Sequence, residues 1–384
     1  MKMIEKDNKL KKILFIVNVD WFFISHRLCI AEKAVAAGWK VTVAAEDTGR
    51  SEEISAKGIH FIDLPFSRSG TNLLKEFKTI QKFRTLYKSV SPDIVHHITL
   101  KPVIYGSLVA RQLKVSGVLN AVSGLGYNFT GERKNIVAKL MLRLMKRGFN
   151  RSNVAFIFQN QNDYSELKEL GVLSGKNIIN FIKGSGVDLT KFKATDPPKT
   201  DKVKILLPVR MLWDKGVAEL QAASQILKEE FEDKIQFVLA GLADEENKAG
   251  VSAAYLIDWQ DGNYVKWIGY QKNMVEVYND SHIVVLPSYR EGMPKTLIEA
   301  CAVGRPIVTT DAIGCRECVD EGVNGFKVPV RSTKELAHAL KILILDKELR
   351  EKMGNASREK AEKEFDQKAV VEKHLEIYNE LINA

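Results

Sequence analysis

Short apolar runs rich in β-branched residues recur along this chain, and most are followed by a segment with helical spacing. In the first half, KILFIVNV (12–19), KVTVAA (40–45), IHFIDL (59–64), DIVHH (93–97), GVLNAV (117–122) and VAFIFQN (154–160) alternate with helix patterns near 28–37, 72–89 and 102–113. Continuous rather than alternating hydrophobicity marks strands buried on both faces, as in a parallel sheet covered by helices. The polar stretch DLTKFKATDPPKTDK (188–202) reads as a linker. The pattern then restarts with VKILLPV (203–209), a helix near 216–230, IQFVLAG (235–241), VKWIG (265–269), HIVVLP (282–287) and PIVTT (306–310). The expected fold is therefore α/β, with two doubly wound domains, 1–190 and 191–365, facing across a cleft. A length of 384 residues suits two cores better than one.

Composition narrows the classes that remain. No apolar run reaches the roughly 18–20 residues that span a bilayer. The N-terminal MKMIEKDNKLKKILFIVNV places cations before an apolar run, but that run is short, β-branched and lacks a small-residue cleavage site. It reads as a first core strand, and the expected location is the cytoplasm. Four cysteines, at 29, 301, 315 and 318, make no disulfide framework, and Cys315 and Cys318 lack the second ligand pair of a zinc site.

Charge is unevenly shared. Residues 1–190 hold 29 Lys+Arg against 16 Asp+Glu, whereas the rest hold 28 against 32. The densest run, RKNIVAKLMLRLMKRGFNR (133–151), has seven cations and no acid, with apolar residues at helical spacing. Such a basic amphipathic helix can lie on an anionic membrane surface through Lys139, Arg143, Lys146 and Arg147. The plainer reading is a core-packing helix with a solvated basic face.

Parallel sheets bind ligands beyond the carboxyl ends of their strands. No G-x-G-x-x-G follows the first strand, GSG (184–186) precedes the linker, and there is no D-x-D to supply a carboxylate pair for a divalent metal. No metal or other cofactor is expected. After ILLPV, however, comes RMLWDKGV, with Arg210 and Lys215 five apart, a fork and a point charge suited to a diphosphate. The segment LPSYREGMPKTLIEACAVGRPIVTT (286–310) puts Glu291 in a loop and Glu299 on the helix that follows Pro294, and that helix start also favours an anion. Glu299 can accept from the vicinal hydroxyls of a ribose and Glu291 from those of a second sugar. A nucleotide sugar, with its diphosphate between the two glutamates, fits this spacing.

These motifs, together with DWFFISHRL, HHITLKPVIYGS and SGLGYNFTG in the first half, resemble the retaining family 4 glycosyltransferases of GT-B fold. The likeness is nearest to bacterial enzymes that extend undecaprenyl-diphosphate-linked glycans for O-antigen, capsule or protein glycosylation. The resemblance implies two Rossmann-like domains and transfer, with retention, of a hexose or N-acetylhexosamine from a nucleotide sugar, UDP-linked by family frequency. It implies an acceptor on polyprenyl diphosphate bound by the N-domain, no metal requirement, and a protein peripheral on the cytoplasmic face of the inner membrane. A last helix, about 366–384, is expected to cross back to the N-domain.

Matched residue by residue, Arg210 and Lys215 correspond to the family's diphosphate pair, Glu291 to its donor-sugar glutamate and Glu299 to its ribose glutamate. Gly292, Met293, Pro294, Lys295, Thr296 and Leu297 correspond to the backbone cradle. In the family's D-x-x-H-x-H segment the first histidine is His96, but Ile98 replaces the second. His97, Thr99 and Lys101 are therefore the candidates for contact with the donor sugar, with Gly124 beside them, and His26 and Arg27 are candidates for a phosphate or the acceptor. Two rivals are a nucleotide-sugar 2-epimerase, for which Asp20 is the one clear N-domain carboxylate, and a basic nucleic-acid-binding protein. The basic run has only Phe149 as an aromatic, which argues against nucleic acid.

Overall fold

A computed structural model describes residues 10–66, 73–122, 124 and 136–383. The SGLGYNFTG motif, apart from Gly124, and the first cations of the basic run, Arg133 and Lys134, lie outside the described residues. The chain forms two compact units.

The first unit runs through Ile182 and takes in the segment from Ala369 onward. Its strands are β1 Lys12–Val19, β2 Lys40–Glu46, β3 His60–Asp63, β4 Ile94–Ile98, β5 Gly117–Val122, β6 Val154–Phe158 and β7 Ile178–Phe181, paired in parallel in the order β3-β2-β1-β4-β5-β6-β7. Residues Ile13 to Val17 of β1 are fully buried, and the two-residue period of a strand divides them between two core layers. Leu14 and Ile16 pack with Phe83, Tyr87, Met145 and Phe149, whereas Ile13, Phe15 and Val17 pack with Ile30, Val371, Tyr378 and Leu381. The helix Gln367–Asn383 thus belongs to the core of the first unit, as the resemblance implied.

The second unit, Lys183–Lys368, contains β8 Val203–Pro208, β9 Ile235–Ala240, β10 Val265–Gly269, β11 Ile283–Leu286, β12 Ile307–Thr310 and β13 Gly325–Val328, all parallel in the order β10-β9-β8-β11-β12-β13. The chain winds outward from β8 to one edge and then returns to its other side, so the topological switch lies between β8 and β11. Crevices for ligands open at such points.

Two local expectations need correction. The stretch 188–202 is not a free linker, because the second unit begins at Lys183 and holds it. Phe192 is buried, and the fully buried Arg305 donates to Thr195 O (2.8 Å), Thr195 Oγ1 (2.9 Å), Tyr278 O (3.2 Å) and Asn279 O (3.2 Å). The helix expected over 102–113 opens as a π-helical turn, Pro102–Gly106, and becomes α-helical only at Ser107–Gln112. Among the described residues no helix is long and apolar enough to cross a membrane.

The turn that leaves β1 is organised by one carboxylate. Asp20 is fully buried and accepts from Trp21 N (2.6 Å), Thr48 N (2.7 Å), Arg50 N (3.0 Å) and Thr48 Oγ1 (2.5 Å), tying the end of β1 to the loop after β2. With both oxygens engaged in these bonds, it serves the fold and does not stand open as the carboxylate an epimerase would need. Asp20→Ala should lower stability to urea unfolding by about 1–3 kcal/mol, since it removes the buried acceptor that joins the end of β1 to the loop after β2. A loss under about 0.5 kcal/mol would mean that water replaces the carboxylate at little cost.

Candidate functional site

The loops that follow β8 and β11 meet at the switch point. After β8 the chain makes a 3-10 turn, Trp213–Lys215, and then enters the helix Val217–Phe231 through Gly216 at φ 77°. A Cβ at Gly216 would lie 2.2 Å from Pro287 O, so only glycine lets the two loops approach this closely. Asp214 O then accepts from Tyr289 N (2.9 Å) and Ser288 Oγ (3.1 Å), and the Tyr289 hydroxyl donates to Glu219 Oε1 (2.6 Å).

This framework brings Lys215 Nζ to 2.5 Å from Glu291 Oε1, with both side chains largely buried. Glu291 is fixed from behind as well, because its N–H donates to Ile313 O (2.9 Å) and Gly314, at φ 86°, packs against its carbonyl. A Cβ at Gly314 would stand 2.4 Å from Glu291 O. Arg210 is half exposed and pairs with Asp244 at 3.0 Å, an acid in the loop after β9. A half-exposed pair of this kind is weak and can exchange partners.

The helix Lys295–Ala302 begins one residue after Pro294, which adopts an extended conformation as its N-cap. Met293, Pro294 and Leu297 turn their side chains inward, leaving backbone and the half-buried Lys295 and Thr296 at the helix start. Glu299 is 8% exposed. Its Oε2 accepts from the Tyr278 hydroxyl (3.1 Å), and Lys295 Nζ stands 3.7 Å from Oε1. Burial raises the carboxyl's pKa, opposed chiefly by the Lys295 ammonium.

The first-unit candidates are less uniform, and two are corrected. His97 is fully buried, with Nε2 2.5 Å from the Tyr87 hydroxyl and Nδ1 2.7 Å from Asn120 Oδ1. Burial pulls its pKa down to about 4, so it is a neutral ring with no nitrogen left for a sugar. Arg27 is enclosed beside His96, His374 and Tyr378 and donates to His26 O (2.9 Å), which removes it as a phosphate ligand. His26 stacks on Phe22 at 4.1 Å, with Nδ1 2.6 Å from Ser25 Oγ, and is only half buried. Thr99, at φ 71° beyond β4, donates to Asn18 Oδ1 (2.8 Å). Lys101 is paired with Glu76 at 2.6 Å, and Gly124 adopts φ 102°.

On the helix Ile136–Phe149, Lys139, Arg143, Lys146 and Arg147 are exposed, while Met145 and Phe149 lie in the core. Sequence reading missed Asp244, Tyr278 and Tyr289. A scan of strand ends would have found Asp244 and Tyr289, which closely follow β9 and β11.

Comparison with known proteins agrees with this geometry. Residues 12–160 match the family model described as Glycosyl transferase 4-like, and residues 188–360 match Glycosyl transferases group 1. The chain is 28% identical over 346 residues to the N,N'-diacetylbacillosaminyl-diphospho-undecaprenol alpha-1,3-N-acetylgalactosaminyltransferase of Campylobacter jejuni, covering 86% of this chain and 89% of that protein. It is 24% identical to the UDP-Gal:alpha-D-GlcNAc-diphosphoundecaprenol alpha-1,3-galactosyltransferase of Escherichia coli, with 89% of each covered. Among solved structures, a sucrose-phosphate synthase from Thermosynechococcus elongatus superposes with a TM-score of 0.77 at 20% identity, covering 97% of this chain and 99% of that one. With both of its units matched in this way, the one by a 4-like and the other by a group 1 model, the chain is a glycosyltransferase of GT-B fold.

Proposed function

We propose that this glycosyltransferase moves a hexose or N-acetylhexosamine, with retention at the anomeric carbon, from a UDP-sugar to a saccharide carried on polyprenyl diphosphate. The observation that carries the reading is the Lys215–Glu291 pair, held at 2.5 Å on two loops that a backbone staple joins at the switch point. The undecaprenyl-diphosphate acceptors named for the two relatives support the choice of acceptor.

Cleaving a sugar–phosphate bond builds negative charge on the leaving diphosphate, and positioned cations that meet this charge account for most of the acceleration. Lys215 supplies a fixed ammonium. Arg210 supplies a fork once it exchanges Asp244 for phosphate, and the first turn of the helix Lys295–Ala302 adds its dipole. Glu291 aims Lys215 with one oxygen and offers the other to hydroxyls of the transferred sugar, while Glu299 receives the ribose. The leaving phosphate takes the proton of the attacking hydroxyl, so no side-chain base is required.

Transfer from a panel of nucleotide sugars to a polyprenyl-diphosphate saccharide tests this reading. Arg210→Ala, Lys215→Ala and Glu291→Gln should each reduce kcat by about 100- to 1000-fold, measured on protein shown to be folded by circular dichroism, since the last two variants each leave a largely buried charge unpaired and lower the thermal midpoint. Near-parental turnover in any one of them removes that residue from the mechanism.

The positive charge at the phosphates comes from side chains and helix amides, so activity should persist in excess chelator. Loss of activity on chelation, restored by a divalent cation, would overturn metal independence.

The acceptor's lipid stays in the bilayer, and the exposed basic face of Ile136–Phe149 is the proposed contact with an anionic leaflet, at about 1 kcal/mol per basic residue. Replacing Lys139, Arg143, Lys146 and Arg147 by Gln should release the protein from phosphatidylglycerol-containing vesicles, and raised salt should release the parent. Unchanged sedimentation of the quadruple variant would leave this helix a purely structural one.

A further inference from the structure

We infer that Tyr278 is a positioning residue for nucleotide binding: its buried hydroxyl holds Glu299 Oε2 and so presents the rest of that carboxylate to the donor's ribose. The inference rests on the reading of Glu299 as the ribose ligand.

Tyr278 is fully buried on the helix Met274–Asn279, with its carbonyl accepting from Arg305 Nε (3.2 Å) and its ring edge-on to Phe192. Its hydroxyl lies 3.1 Å from Glu299 Oε2 and 3.0 Å from Thr296 O. Thr296 is in the first turn of the helix that carries Glu299, so the single phenol proton, shared between the Glu299 carboxylate and the Thr296 carbonyl, ties that carboxylate to the helix start proposed to face the diphosphate. A glutamate side chain has three rotatable bonds, and ordering it on binding has an entropic cost. A donor fixed at one oxygen reduces that cost in advance. Each carboxylate oxygen has two acceptor sites, so Oε2 keeps one and Oε1 both for a pair of ribose hydroxyls. Lys295, from the same helix, approaches only to 3.7 Å of Oε1 and leaves room there.

The charged groups acting on Glu299 are Lys295 and Lys191, and Tyr278 is the neutral donor among its partners. Each favours the ionised carboxylate against burial. Removing the hydroxyl therefore moves protonation of Glu299 to higher pH, and nucleotide affinity should begin to fail at a higher pH on the acid side.

The test uses the full chain and the tightest binder among UDP, ADP, GDP and CDP, with Kd measured by calorimetry over the acid range and donor KM and kcat measured in parallel. Tyr278→Phe should weaken Kd by about fivefold to tenfold, less than the roughly 13-fold or more of a directly lost hydrogen bond to a charged group, because Tyr278 acts on the nucleotide only through Glu299. It should raise donor KM more than it lowers kcat and shift the acid limb upward in pH. Glu299→Ala should weaken Kd at least as much, and the double variant should match Glu299→Ala alone, because Tyr278 acts through that carboxylate. If Tyr278→Phe folds poorly, 3-fluorotyrosine at 278 keeps the contacts and strengthens the O–H donor, and it should tighten Kd. Additive effects, or an unshifted acid limb in Tyr278→Phe, would reduce Tyr278 to a packing residue. If Glu299→Ala leaves Kd and KM unchanged, the ribose assignment itself fails.

Discussion

Loops ordinarily make poor platforms for chemistry because their ends are fixed and their middles are not. In the second unit this is overcome by a backbone contact: the carbonyl of Asp214 accepts from both Tyr289 N and Ser288 Oγ, joining the loop after β8 to the loop after β11. The two strands are neighbours in the sheet, and the direction of winding reverses between them, so their loops diverge unless something holds them. Gly216 permits the approach, and Gly314 closes it from the other side under Glu291. Lys215 and Glu291 therefore stand where the backbone puts them, and the order of the site is an extension of the order of the sheet.

The electrostatics follow from that placement. Lys215 and Glu291 are each largely removed from water, and either one alone would be a costly buried charge. Paired, they tolerate burial, and the ammonium stays aimed. Arg210 is a different case, since it is half exposed and its bond to Asp244 is the weak kind that solvent screens. Under the proposed reading the two cations divide the work, one held in place and one recruited by the phosphate. Glu299 completes the set as a carboxylate whose burial is opposed only in part by Lys295 and Tyr278.

Much of this was legible from sequence because parallel strands are written as continuous apolar runs. β1, β5 and β10 fall at the residues where those runs stand, and Glu291 and Glu299 occupy the loop and helix expected of them. What sequence could not convey was burial of polar residues. His97 and Arg27 look like chemistry in HHITLKP and SHRL, yet Tyr87 and Asn120, 10 and 23 residues from His97, and the C-terminal helix, far along the chain, turn both into interior groups. The stretch 188–202 misled for the same reason. Its prolines and charges read as a linker, and only residues far along the chain show how it is held, with Arg358 donating to Phe192 O and Arg305 to Thr195 O. β7 and β13 are four-residue strands at sheet edges, too short for periodicity to distinguish from loop.

The basic helix Ile136–Phe149 shows how the core limits what a surface can do. Its sequence is amphipathic enough to suit a membrane, but Met145 and Phe149 are fully buried in the first unit, and Gly148 lies against Ser107. The apolar face over these residues is already occupied, so it cannot also sink into acyl chains. Among the described side chains of this helix, those toward solvent are charged, with Leu140 as a partly exposed apolar one. An attraction of that kind acts over about a Debye length and weakens with salt. It would hold a polyprenyl-linked acceptor's enzyme at the headgroups while leaving it free to depart, an association set by lipid charge rather than by insertion.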